Sequence, residues 1–333
     1  MPKLTHLIVA LLVAAAPATR AQDVSIGVDN IAAFKGARRV AIDEFGVEFI
    51  TTLKSNGSSA ASSVSVQAEL LGVSDAAMQA LTDRAYADTV AALVAAGFEV
   101  VPLEALQARP EYQDLSTKMG KPSPYLVDDT DSVSKIFAPA GMPAYFQSSG
   151  GRGSLSDRNT AFNGAYGGQA SALAKSMGLH FVRFHFLASF GVGSGSKGFL
   201  ANIAGRSSAG IDPGPTLVAN ETQAQIVSHD GQRVFRTSSR GGVNGAAYLD
   251  RALRLPADGF VLEDTTSAES KQSDNVSNAV SLGLALLTGG RSRSTKSATL
   301  AVKVSEAQFN ESYLRMIGAA RDALVARLKS GAE

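Results

Sequence analysis

An α/β fold, with helices packed on a mixed sheet, is what the 333-residue sequence predicts, and three features carry that expectation. Stretches of period-two alternation, such as ARRVAIDEFGVEFITTL (37–53), give way to stretches with an apolar stripe at helical spacing, such as 75–96. Two of the helical stretches end on a glycine that leads straight into an apolar run, at Gly97 and Gly178. The order β-β-α-β near the start is that of an α/β or α+β domain. A long irregular insertion and extra antiparallel hairpin strands complete the expected architecture.

The chain begins MPKLTHLIVALLVAAAPATRAQD: a lysine, an apolar run from Leu7 to Ala16, then small residues ending in Thr-Arg-Ala. This is the layout of a secretory signal peptide, with cleavage expected after Ala21 or, as second choice, after Ala18. The run is too short to span a bilayer as a helix. The expectation is therefore a leader at 1–21 and a single exported domain at 22–333, periplasmic or secreted, in a Gram-negative style of sequence. Cysteine is absent, so neither disulfides nor a cysteine-linked lipid are expected. With 31 basic against 30 acidic residues, no basic face for nucleic acid stands out. Tryptophan is absent too, which excludes a sugar groove lined with indoles.

Residues 37–53 read as a long strand, NGSSAASS (56–63) as its turn, and VSVQAELLGV (64–73) as the returning strand. Ser74 caps a helix whose stripe is Met78, Leu81, Ala85, Thr89, Leu93 and Ala96, flanked by Tyr86 and Val90. FEVVP (98–102) is a short buried strand, and LEALQARPEY (103–112) a short helix stopped near Pro110. The stretch 113–160, punctuated by KPSP, APAGMP and SSGGRG, reads as the irregular insertion. A third helix is expected at 164–177. Strand 179–190 follows, then strands at 215–228 and 232–239 joined through His229-Asp230-Gly231. Residues 263–278 are polar and read as a solvated loop, and GGRSRSTKS (289–297) as a flexible basic one. SATLAVKV (297–304) is a strand, and Ser305-Glu306-Ala307-Gln308 opens the last helix with the spacing of a capping box.

Chemistry is hard to find. In LHFVRFHFLASF (179–190) successive side chains alternate sides, so His180 and His185 point apart and cannot share a metal that needs three or four convergent ligands. Arg183 and His185 share a side and could meet a carboxylate from a neighbouring element, which makes them the candidate ligand-binding pair. GVGSGSKG (191–198) fails as a phosphate loop, because Gly198 stands where a serine or threonine must follow Lys197. GAYGG (164–168) has no strand leading into it, and no Gly-x-Ser-x-Gly occurs. Asp128, Asp129 and Asp131 could hold a calcium ion, with a solvated acidic loop as the default. Asp43 and Glu44 are adjacent carboxylates, and adjacency alone does not make an acid–base pair. No catalytic residue, cofactor or metal is expected.

ARRVAIDEFGVEF, the Gly97-to-Val101 run GFEVV, the helix leading to Gly178 and strand 179–190, and TQAQIVSHDGQRVFRTS (222–238) together resemble the curli-secretion-channel (CsgG-type) and TolB-N-terminal-like envelope proteins. The resemblance covers about half the chain. It implies a compact α/β domain used in envelope assembly, with no catalytic residues to carry over. Pore members of that family are lipoproteins, and this chain has no cysteine. Residues 216–228 also lack the apolar side that a lipid-facing hairpin needs. The expected function is a non-catalytic exported envelope protein with a binding or assembly role. Its partner would be another envelope protein or itself, with no nucleic acid and no integral membrane helix. Two alternatives stay open: an enzyme with a dispersed site around Arg183, His185 and the 120–160 stretch, and an oligomeric membrane-associated secretion component.

Overall fold

The computed structural model describes residues 24–58, 63–144, 165–194, 210–229, 244–268 and 295–333. Among these, thirteen strands form one mixed sheet with helices packed against it, the α/β class that the sequence predicts. The expected leader, the expected turn at 230–231 and strand at 232–239, GVGSGSKG beyond Ser194, most of 263–278 and GGRSRSTKS up to 294 lie outside the described residues. Among the described residues, no helix is long and apolar enough to cross a membrane.

The centre is β2 (Arg39–Ser58), flanked in parallel by β7 (His180–Ser194). Along one edge of β2, β7 pairs as far as Phe49 and β3 (Ser63–Leu71) takes over from Thr52. The other edge carries β4 (Glu99–Val101) and then β6 (Ser132–Phe137), which in turn pairs with β5 (Tyr125–Asp128). Beyond β7 lie β8 (Gly210–Leu217) and β9 (Gln223–Val227), then β10 (Gly245–Leu249) and β1 (Ile26–Asp29) at that end. Beyond β3 lie β13 (Thr295–Lys303) and the edge strand β12 (Val261–Asp264), while the two-residue β11 (Leu253–Arg254) pairs with β8.

The apolar side chains of β2 change parity partway along. Val40 and Ile42 enter the main core, and Phe45, Val47 and Phe49 follow on odd numbers. The switch falls at a bulge, where the register with β7 shifts between Ala41 and Glu44. On β7, Val182, Phe184, Phe186 and Ala188 keep one parity and face the same core. Helices α1 (Asp75–Ala95) and α5 (Glu306–Ala332) cover that core, the latter through Phe309, Tyr313, Ile317, Ala320, Leu324 and Leu328. A second, smaller core on Ala41 and Phe181 is closed by α2 (Leu103–Gln107), α3 (Pro110–Met119) and α4 (Ala165–Met177).

Both core helices start at serine caps. Ser74 Oγ accepts from Ala77 N at 3.2 Å and Ser305 Oγ from Gln308 N at 3.3 Å. Because β3 and β13 are parallel neighbours with Leu71 opposite Lys303, the two helices begin side by side. Glu306 then accepts from the Ser74 amide at 2.9 Å, so one helix caps the other. Gly72 lies between them with φ +92°, and a Cβ there would sit 2.3 Å from the Val304 carbonyl oxygen.

Three expectations need correction. The short helix expected at 103–112 does stop before Pro110, as α2 at Gln107, but Pro110 also opens a second helix, α3, as its first residue, because that position needs no amide hydrogen. The 113–160 insertion is not irregular in its first part: α3, β5 and β6 occupy it, and β6 pairs directly with β2. The expected strand 215–228 is two strands, β8 and β9, broken by a turn in which Asn220 takes the left-handed region at φ 62°.

Candidate functional site

The bulge in β2 does more than shift register. With Ile42 and Phe45 both in the main core, Asp43 and Glu44 lie between them as the two polar residues of the kink, and Glu44 stands opposite Arg183. Asp43 receives the fork of Arg183: Nε to Oδ1 is 3.0 Å and Nη2 to Oδ2 is 2.9 Å. The two side chains are 3% and 2% exposed, so this pair is fully inside the protein. Tyr112, in the first turn of α3, donates its hydroxyl to the Asp43 carbonyl at 3.1 Å. Burial, then the negative charges of Asp43 and Glu44, push that phenol far above its ordinary range.

Two residues further along β7, His185 stands opposite Gly46. Its Nε2 lies 3.1 Å from Glu48 Oε2, and its Nδ1 lies 2.9 Å from the Glu221 carbonyl oxygen. Glu48 is wholly buried, and its other oxygen accepts a short hydrogen bond from the Ser134 hydroxyl on β6. Burial opposes charge on the imidazole, but the hydrogen bond to Glu48, the charge of Glu48 and the Glu221 carbonyl outweigh it and hold His185 above its ordinary range. Gly46 is closely packed: a Cβ there would come within 3.1 Å of the Ala144 carbonyl and 3.2 Å of the Ile136 side chain. On β9, the buried Gln225 and Gln223 stand opposite Arg183 and His185 and continue the polar strip.

The sequence pairs Arg183 and His185 on one side, and the structure places both in this seam between β2, β7 and β6. His180 points the other way, with its ring edge-on to Phe34 at 5.6 Å and to His229 at 4.7 Å. The residues that sequence reading missed are the partners. Glu48 and Ser134 carry no local signal, and Tyr112 stands at the end of the short helix expected at 103–112, whereas the structure places it in the first turn of a separate helix, α3. Asp43 and Glu44 had one: the parity switch from Val40 and Ile42 to Phe45, Val47 and Phe49 marks a bulge at those two residues.

As chemistry the seam is self-contained. A hydrolase triad places histidine between serine and carboxylate, so that the ring can take the hydroxyl proton. Here Glu48 stands in the middle, and the Ser134 hydroxyl meets a carboxylate oxygen and not the imidazole. The acidic turn at 128–131 already has a cation: Lys54 Nζ lies 2.9 Å from Asp128 Oδ1 and 3.4 Å from the Asp129 carbonyl. Among the described residues, no three His, Asp or Glu side chains are placed to hold a metal ion. Comparison with family models, with curated proteins and with solved structures yields no match to this chain.

Proposed function

We propose that this protein is a non-catalytic exported component of a bacterial envelope, acting by binding or assembly. One observation carries the reading: the charged groups that a reactive site would expose are spent on one another inside the sheet, Arg183 on Asp43 and His185 on Glu48. Their effect is to clamp β2 to β7. The signal-peptide layout of residues 1–21 and the resemblance to CsgG-type proteins supply the compartment and the class. Expression of the full chain in a Gram-negative host, with fractionation and N-terminal mass mapping, tests the compartment. The expected product is periplasmic or secreted and begins after Ala21. In-cell crosslinking followed by mass spectrometry tests the role, with an envelope protein or a second copy as the expected adduct. A turnover of any substrate panel that His185→Gln abolishes in a folded protein would sink the reading.

The length of the central strands favours a second form of it, an oligomeric membrane-associated component. β2 runs for 20 residues and β7 for 15, well above the usual five or six. Light scattering on the purified chain and membrane fractionation separate that form from a soluble monomer.

A further inference from the structure

The surroundings of His185 pose a problem of proton placement. Both ring nitrogens face oxygens that can only accept: the Glu221 carbonyl at Nδ1, 2.9 Å away, and the Glu48 carboxylate at Nε2, 3.1 Å away. A neutral imidazole has one N–H and leaves one of these contacts lone pair against lone pair. An imidazolium satisfies both. The alternative keeps the ring neutral and puts the proton on Glu48, but Ser134 donates to that carboxylate, which favours the carboxylate anion. We propose that His185 is a proton-operated latch: as imidazolium it ties β2 to the turn that leads into β9, and loss of its proton releases that turn.

The geometry names which tie goes. On losing a proton, the ring keeps its remaining N–H toward the stronger acceptor, the Glu48 carboxylate, and turns a bare nitrogen to the Glu221 carbonyl. The turn so released is a junction. Val218 N donates to the Leu187 carbonyl, Leu187 N to Thr222 Oγ1, Asn220 N to the Leu249 carbonyl and Leu249 N to the Thr222 carbonyl. Residues 218–222 therefore hold β10 against β7, and β1 hangs on β10. A fifth of the His185 side chain is exposed, so protons can exchange with solvent while the sheet stays intact. The charged and titratable groups that act on the ring from the described elements are Glu48 on β2 and Glu221 in the turn, while Glu44, the Asp43–Arg183 pair and Tyr112 lie two residues back along the seam. From β6 comes only the Ser134 hydroxyl.

The direction of the pH effect follows. A histidine held above its ordinary value of 6.5 contributes its full stabilisation below that value and loses it as pH rises through the higher one. The protein is therefore tighter in mild acid than in mild alkali, and the loosening starts at residues 218–222.

Imidazole nitrogen NMR on the full chain, from pH 5 to 9, tests the proton directly without any substitution. His185 is expected to keep the imidazolium pattern past the pH at which a free histidine has lost it. A neutral ring at pH 6.5, with or without a protonated Glu48, overturns the proposal. Hydrogen exchange at the same pH values, corrected for intrinsic rates, tests the release. Protection at 218–222 should fall as pH rises, while that of α1 and α5 holds. Uniform protection across the titration overturns the latch even if the ring is charged. In Glu48→Gln the ring should titrate at or below the free value. An unchanged titration there would show that Glu48 does not hold the proton.

Discussion

Two ion pairs between neighbouring strands of this one sheet look alike by distance and differ in everything else. Arg183 and Asp43 join β7 to β2 at 2.9 Å, and Lys303 and Glu263 join β13 to β12 at 2.6 Å. The first pair is 3% and 2% exposed, the second 53% and 43%. The shorter contact is the weaker one, because water and salt screen it and two long side chains must be ordered to make it. Inside the sheet the pair is shielded from bulk solvent. The buried carboxylate of Asp43 is compensated by the guanidinium that meets it in a fork. Burial, and not separation, decides which pair the fold depends on.

The contrast is sharpest when one partner goes. Arg183→Met leaves Asp43 charged in a buried site, and should lower the unfolding free energy by about 3–5 kcal/mol in a urea titration. Asp43→Leu with Arg183→Met removes both charges and should recover much of that loss. If the double variant is as weak as the single one, the bulge and not the ion pair was holding the seam. Ser134→Ala comes next: it takes from buried Glu48 its hydroxyl donor, for a loss of about 1–3 kcal/mol. Tyr112→Phe leaves its ring in the small core and removes one hydrogen bond to the Asp43 carbonyl, worth about 1 kcal/mol.

The two pairs also differ in how far sequence could reveal them. Helix α5 was legible from end to end, since Ser305 and a stripe from Phe309 to Leu328 are local signals. So was the side that Arg183 and His185 share, because pleating is a property of the strand alone. Their partners were not legible. Asp43 lies 140 residues from Arg183, and only the parallel pairing of β2 with β7 unites them. Glu48 and Ser134 meet because β6 lies on β2, and β6 sits in a segment whose prolines and glycines hid a strand. Pro110 misled for a related reason: a proline that ends one helix and a proline that starts the next are the same letter.

The exposed pair supplies the smallest effect and the sharpest control. Lys303→Ala removes an ammonium that stands between Val261 and Leu71 across three strands, in the row that closes β12 onto β13 and β3. Were strand pairing here held by the charge, the edge strand β12 would peel away and protection of its amides would drop. Lys303 and Glu263 face water, however, and the ladder from Val261–Lys303 to Asp264–Leu300 is made of backbone hydrogen bonds that the substitution leaves in place. The expected loss is therefore about 0.5 kcal/mol or less, shrinking further with added salt. A loss comparable to that of Arg183→Met would mean that the edge of this sheet is shielded from solvent by something that packs on it, and that the two pairs belong to one class after all.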